Sequence, residues 1–212
     1  MLRRLFGLAC ACAALRPAQA QPCRPAACGR LSTASLAHVR HDFDELAHAA
    51  ADLPFPARIG FANAAINQLV AYADDAELAG TDCWLTPLET LALGRGDCED
   101  IAITKFFLLL ASGADPAEVR LLYARHHDPA LPGLAAAHIV ALARHPYADP
   151  LVLDNLSLSA LPVSSRPDLE PVFSFDRSQL WSGVCGTCQG RAPARLRLWR
   201  EVLARVAEQQ QR

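Results

Sequence analysis

The spacing of apolar residues changes near residue 113, and this change constrains the fold more than any other feature of the chain. Before that point apolar residues recur at helical intervals, as at Leu36, Val39, Phe43 and Leu46, and beyond it the pattern is that of extended strands. The predicted helices span residues 35–52, 62–72, 85–93, 98–113 and 196–208, and the predicted strands span residues 119–125, 137–143, 151–156 and 172–175. Helices that precede strands within one domain are typical of an α+β fold with an antiparallel sheet.

Length and composition place the chain among ordinary globular domains. It has 212 residues, of which 52% are hydrophobic and 20% charged, enough to build one hydrophobic core. The formal net charge is −2, so composition offers no basic surface for nucleic acid or anionic lipid. We therefore expect no nucleic-acid partner. No stretch after the first twenty residues is apolar for long enough to span a bilayer, so we do not expect a membrane-spanning protein either.

The N-terminus has the form of a secretory signal peptide. Arg3 and Arg4 precede an apolar run over residues 5–15 that is too short to span a bilayer, and a small-x-small cleavage pattern ends at Ala20. An uncleaved hydrophobic helix is the alternative. We predict a signal peptide at residues 1–20 and one exported domain at residues 21–212.

Export determines how the cysteines are interpreted, because disulfides persist outside the cytoplasm. Six cysteines follow the predicted cleavage point. If Cys98 is a nucleophile, five are left, and the close couples are Cys23 with Cys28 and Cys185 with Cys188, which leaves Cys83 as the odd one. We expect Cys185 and Cys188 to be oxidised to each other. A zinc site from two couples is the alternative, although the usual ligand spacings are absent.

The segment around Cys98 predicts a reactive thiol at the start of a helix. Glycines at 94 and 96 suit a tight turn, Asp97 is a good N-cap, and an apolar helix follows. Unpaired N–H groups and the dipole at a helix N-terminus favour the thiolate form of cysteine. Cys98 is therefore the candidate nucleophile.

A nucleophilic cysteine also needs an imidazole and a group that orients it. If strands 137–143 and 151–156 pair as a hairpin with Val140 opposite Val152, then His138 falls opposite Asp154 on the same face. Taken singly, the cysteine could be half of a disulfide, the histidine a core residue and the aspartate a strand end. Their joint arrangement in the chain order Cys, His, Asp favours a catalytic triad.

Several segments resemble the bacterial transglutaminase-like cysteine proteinases. These are WLTPLE at 84–89, GRGDCEDIAITK at 94–105, AHIV at 137–140, LDNL at 153–156 and DLEPVFSF at 168–175. The resemblance extends from about Asn63 to Trp181 and places the family's triad on Cys98, His138 and Asp154. It implies a transglutaminase/papain-like core in which N-terminal helices precede the sheet and the cysteine opens a helix packed on that sheet.

The resemblance also implies a cellular role. It implies a periplasmic protease that cleaves the N-terminal region of a large surface adhesin between small residues, which releases the adhesin and disperses biofilm. It implies calcium as a cofactor, and an inner-membrane cyclic di-GMP receptor as a partner that sequesters the enzyme. Two other interpretations remain open: a transglutaminase that passes the acyl group to an amine, and an inactive binding module of the same fold.

The acidic residues beside the thiol favour calcium on physical grounds as well. Asp97, Glu99 and Asp100 surround Cys98 with negative charge, which by itself raises the pKa of a thiol. A hard cation prefers carboxylate oxygens and would offset that charge, so these three residues are the predicted calcium ligands. The alternative is that they only complement the helix dipole.

Overall fold

The computed structural model describes residues 33–74, 83–144 and 149–211. Within these residues six α-helices surround a seven-stranded antiparallel sheet, which confirms the predicted α+β class. The helices are α1 (Thr33–Ala51), α2 (Phe55–Leu69), α3 (Pro87–Leu93), α4 (Cys98–Ala111), α5 (Ala192–Arg195) and α6 (Arg197–Gln210). The predicted signal peptide, Cys23, Cys28 and most of the turn at 145–150 lie outside the described residues.

The strands of the large sheet are β3 (Val119–His126), β4 (Ala136–Ala143), β5 (Leu151–Leu153), β6 (Leu161–Pro162), β7 (Leu169–Phe175), β8 (Gln179–Ser182) and β9 (Cys188–Arg191). Their order is β6-β5-β4-β3-β7-β8-β9, so β3 and β4 lie near the centre. A separate two-stranded parallel pair joins β1 (Ala71–Tyr72) to β2 (Arg95–Gly96).

Two predicted elements have different bounds in the structure. The second helix was predicted over 62–72, but α2 begins at Phe55 because Pro56 occupies its first turn, where a missing N–H costs nothing. It ends at Leu69, since Val70 is extended and leads into β1. The predicted strand 151–156 ends at Leu153 as β5.

The core lies mainly between the helices and one face of the sheet. The helix α4 is buried along most of its length, and Phe106 on it makes an edge contact with Trp199 of α6. Trp199 also packs edge-on against Phe175 of β7, which joins the last helix to the sheet. On the opposite face a smaller apolar cluster contains Leu122, Ala124, Val140, Leu142, Val152 and Leu169.

The predicted Cys185–Cys188 disulfide was wrong, and so was the expectation that Cys83 is the odd cysteine. Cys83 is disulfide-bonded, whereas Cys185 and Cys188 are exposed free thiols in the β8–β9 hairpin. The Cys188 thiol lies 3.4 Å from Oε1 of Gln179 on the adjacent strand, and the intervening turn is held by backbone bonds to Ser182. No described helix is long and apolar enough to cross a membrane.

Candidate active site

The segment before Cys98 is held by a short parallel ladder and a crowded turn. Gly94 has φ +62°, which favours glycine, and ends α3. A Cβ on Gly96 would lie 2.7 Å from the Cβ of Asp100, so only glycine fits there without a shift of the turn. Asp97 then caps α4 by accepting a hydrogen bond from the Asp100 N–H at 3.3 Å. The sequence prediction of a capped helix that begins at Cys98 is confirmed.

The Cys98 thiol is partly buried and contacts two neighbours. It donates to Oε2 of Glu99 at 3.0 Å, and the backbone N–H of Ile139 on β4 is a hydrogen-bond partner. Burial raises the pKa of the Cys98 thiol far above its ordinary range, and the charge and hydrogen bond of Glu99 raise it further. The hydrogen bond from the Ile139 N–H acts in the opposite direction and lowers the pKa of the thiol. The contact with Ile139 places the sulfur beside the residue that follows His138.

His138 and Asp154 form a buried pair. Nε2 of His138 lies 2.9 Å from Oδ1 of Asp154, and both residues are nearly inaccessible, at 6% and 1% exposure. With Nε2 directed at the carboxylate, Nδ1 is the ring nitrogen left to exchange a proton with a thiol. Burial alone would raise the pKa of Asp154, but His138, the Leu156 N–H and Arg166 outweigh it and hold that pKa well below its usual range.

The predicted strand register was wrong by two residues, and the predicted face was right. Ala141 pairs with Leu153 and Leu142 with Val152, so His138 and Asp154 are not directly opposite. Asp154 follows the end of β5, and the two side chains meet diagonally. Because side chains alternate along a strand, a two-residue shift keeps both on one face, and diagonal neighbours remain within reach.

Polar side chains from α2 and α4, buried at Asn63 and Lys105 and half-buried at Asn67, hold the loop that carries Asp154. The amide of Asn67 donates to the Asp154 carbonyl at 2.9 Å, and that of Asn63 donates to the Ser157 carbonyl at 2.9 Å. Nζ of Lys105, which is fully buried, donates to Oδ1 of Asn63 at 2.8 Å. Burial lowers the pKa of Lys105 to about 7, although the charge of Asp154 acts in the opposite direction.

Sequence reasoning did not find the residues that surround the candidate triad. Lys105 is a basic residue in the mainly apolar part of α4 that follows its acidic first turn, and that position is itself a signal of a buried polar contact. Arg166, whose Nη2 lies 2.7 Å from Oδ2 of Asp154, precedes a proline in a loop and has no periodic pattern to reveal it. Both depend on contacts between segments that are distant in the chain.

The three predicted calcium ligands lie at the start of α4, each with a protein partner. Oδ1 of Asp97 caps the helix, and Oδ1 of Asp100 accepts a hydrogen bond from the Leu85 N–H at 2.7 Å. Glu99 accepts a hydrogen bond from the Cys98 thiol. Among the residues the structure describes, no three His, Cys, Asp or Glu side chains are arranged as a metal site. The donor chemistry fits calcium, which prefers carboxylate oxygens. Glu99 would have to turn from the thiol to join such a site.

Comparison with known proteins finds relatives among solved structures. No protein-family model and no curated protein gives a significant match. LapG of Legionella pneumophila matches with a TM-score of 0.67 and 29% identity, covering 84% of this chain and 97% of that one. EGTA-treated LapG matches at TM-score 0.68 and 29% identity, covering 82% and 97%. Calcium-bound LapG matches at 0.66 and 29%, covering 83% and 99%. These similarities confirm the resemblance seen in the sequence.

Proposed function

We propose that this chain, which shares its fold with the LapG structures, is a calcium-dependent cysteine endopeptidase of the periplasm. Its substrate is the N-terminal region of a large surface adhesin, which it cleaves to release the adhesin and disperse biofilm. The single observation that carries the proposal is the buried His138–Asp154 pair, 2.9 Å apart, next to a cysteine at a helix start. The similarity to LapG supports the choice of reaction and substrate.

In the proposed reaction Cys98 attacks the scissile carbonyl carbon after its thiol proton passes to Nδ1 of His138. The C–N bond then breaks as His138 returns that proton to the leaving amine, which leaves a thioester on Cys98. Water, deprotonated by His138, hydrolyses the thioester and restores the thiol. Asp154 orients the imidazole and stabilises its protonated form. The Cys98 N–H, at the first helical position, is available to the developing oxyanion.

The calcium part of the proposal rests on the acids at the start of α4 and on the calcium-bound LapG structure. Asp97, Glu99 and Asp100 would hold the ion. Calcium supplies positive charge that offsets theirs. In the described structure Glu99 instead accepts a hydrogen bond from the Cys98 thiol, which opposes formation of the thiolate.

A deletion strain tests the cellular role. We expect the adhesin to stay on the cell surface when the gene is deleted and to be released again when the wild-type gene is restored. When the deletion strain instead receives the gene for Cys98→Ala, the adhesin should stay on the surface. Because this variant lacks only the thiol, the comparison separates catalysis from binding of the cyclic di-GMP receptor. Release that continues unchanged in the deletion strain would contradict the proposed role.

A further inference from the structure

The second carboxylate oxygen of Asp154 faces an arginine from another part of the chain. Oδ1 accepts from His138 and from the Leu156 N–H, and Oδ2 lies 2.7 Å from Nη2 of Arg166. Arg166 follows the 3-10 turn Val163–Ser165 and is 7% exposed. The carboxylate of Asp154 therefore lies between His138 on one side and a buried guanidinium on the other.

Arg166 is itself fixed by a two-point contact with Asp168. Nε of Arg166 donates to Oδ1 of Asp168 at 3.0 Å, and Nη2 donates to Oδ2 at 2.6 Å. Two parallel bonds to one carboxylate set the plane of the guanidinium as well as its position. The same Nη2 thus bridges Asp168 and Asp154.

The contacts return to the catalytic histidine through His126. Oδ2 of Asp168 lies 3.6 Å from Nε2 of His126, and the ring of His126 lies 5.5 Å from the ring of His138. In the β3–β4 ladder His138 is paired with Ala124, which puts the two histidines on one face as diagonal neighbours. Five side chains form a closed ring: His138, Asp154, Arg166, Asp168 and His126.

We propose that Arg166 is a positioning residue for the reaction at Cys98: it fixes the carboxylate of Asp154 in the orientation that directs His138, and Asp168 fixes Arg166. The inference rests on the proposed triad. A carboxylate bound through one oxygen can rotate about its side-chain bond, and a second contact on the other oxygen prevents that rotation. Supporting partners of this kind orient the groups that perform chemistry.

The neighbouring charges determine what loss of Arg166 should do. The groups that face Asp154 are His138 of β4, Lys105 of α4 and Arg166, and without the arginine the carboxylate keeps its contacts with His138 and with the Leu156 N–H. Asp168 contacts the guanidinium of Arg166, and His126 contacts Asp168. Removal of Arg166 should therefore change the orientation of Asp154 more than its charge, and affect turnover more than substrate binding.

The test compares Arg166→Met, Arg166→Lys and Asp168→Asn with Arg58→Met as the matched control. Arg58 is a partly buried arginine that donates to the Ala51, Leu53 and Ser112 carbonyls, and no triad residue is among its partners. We expect Arg166→Met to lower kcat on the adhesin fragment by about 10- to 100-fold with little change in KM, as for other supporting partners. Arg166→Lys should recover only part of the lost kcat, since lysine cannot make the two-point contact with Asp168.

A double-mutant cycle separates positioning from simple stability. In an Asp154→Asn background Arg166→Met should lower kcat far less than in the wild type, because the residue through which it acts is already altered. Equal losses in both backgrounds, or a loss no greater than that of Arg58→Met, would overturn the inference. Should Arg166→Met fail to fold, Asp168→Asn, which retains the arginine, gives the same comparison.

A substrate-independent readout distinguishes failure of this inference from failure of the proposed function. The rate at which iodoacetamide alkylates Cys98, followed by mass spectrometry of the peptide that contains it, needs no adhesin. If no variant cleaves the fragment, the proposed function fails, and the alkylation rate still decides the role of Arg166. An altered rate in Arg166→Met but not in Arg58→Met supports the inference, and equal rates contradict it.

Discussion

At the scale of single residues, Cys98 experiences opposing influences. Its position at the start of α4 and the Ile139 N–H favour the thiolate, whereas burial and the adjacent Glu99 favour the thiol. The net effect in the described structure is a raised pKa and a thiol that donates to Glu99 at 3.0 Å. Glu99 is therefore both a predicted calcium ligand and, after burial, the main cause of the raised pKa of the candidate nucleophile.

Glu99→Gln should make Cys98 more reactive in the presence of EGTA. The substitution removes a negative charge beside the thiol, so the pKa of Cys98 should fall, and each unit is worth about tenfold in thiolate at neutral pH. We expect Cys98 alkylation at pH 7.5 to rise about tenfold or more. The control is Glu201→Gln, whose partner is Arg197 on the same helix. An unchanged rate would show that Glu99 does not restrain the thiol.

At the scale of elements, the sequence predicted whether a segment is a helix or a strand better than where it begins and ends. It also predicted which face of a strand a side chain lies on better than the pairing register between strands. The helix predicted over 85–93 is observed as α3 from Pro87, and the two local bonds of a capping box between Thr86 and Glu89 fix its start. The pairing of β4 with β5 was wrong by two residues, since their register depends on the connecting turn and on packing across the sheet. Because side chains alternate between the two faces of a strand, a shift of two residues keeps each side chain on the same face. His138 and Asp154 are therefore still in contact.

Contacts between distant elements could not be predicted from local patterns. The link from Lys105 of α4 to Asn63 of α2 joins residues 42 positions apart, and Asn63 then reaches the loop after β5. Similarly, Arg166 contacts Asp154 only because β6 and the 3-10 turn bring it back beside β5. The proposed nucleophile and its pair were visible in the sequence, whereas the scaffold that orients them required the fold.

Lys105→Met should remove a pH dependence of stability. The folded pKa of Lys105 is about 7 because burial disfavours its charge, and the unfolded chain keeps the ordinary, higher value. Between about pH 7 and 10 the unfolded state thus binds more protons, and the free energy of unfolding should increase with pH by up to about 1.4 kcal/mol per unit. In Lys105→Met this increase should disappear.

Chemical denaturation from pH 6.5 to 9 measures the effect. Both proteins should carry Cys98→Ala, because the raised thiol pKa makes an opposite contribution near the upper end of this range. Parallel pH profiles with and without Lys105 would mean that the lysine remains charged in the folded protein.

At the scale of the whole molecule, the candidate site lies where the helices meet the sheet. Cys98 comes from the start of α4, His138 from β4, and Asp154 from a loop held by α2. The start of α4 is continuous with the core, because this helix is buried from Asp100 to Leu109. An ion bound at the three acids should accordingly stabilise the whole domain.

Calcium removal should lower both the thermal midpoint and the activity. An ion that binds only the native state stabilises it by RT ln(1 + [L]/Kd), about 2.7 kcal/mol when calcium is a hundredfold above Kd. Calorimetry with calcium, with EGTA and with EGTA followed by excess calcium measures the shift and its reversal. Asp97→Asn and Glu99→Gln should reduce the shift. If EGTA changes neither quantity, the acids serve only the helix start.

The most direct measurement of the central claim is cleavage of the purified N-terminal adhesin fragment by the wild type and by Cys98→Ala, with calcium present. The wild type should produce two fragments, and N-terminal sequencing should place the break between small residues such as Ala-Ala. Cys98→Ala should produce none while its circular dichroism spectrum stays native. Isopeptide-linked products would indicate acyl transfer to an amine, and an intact substrate would indicate a binding module. Cleavage by Cys98→Ala at a rate near that of the wild type would contradict the triad itself.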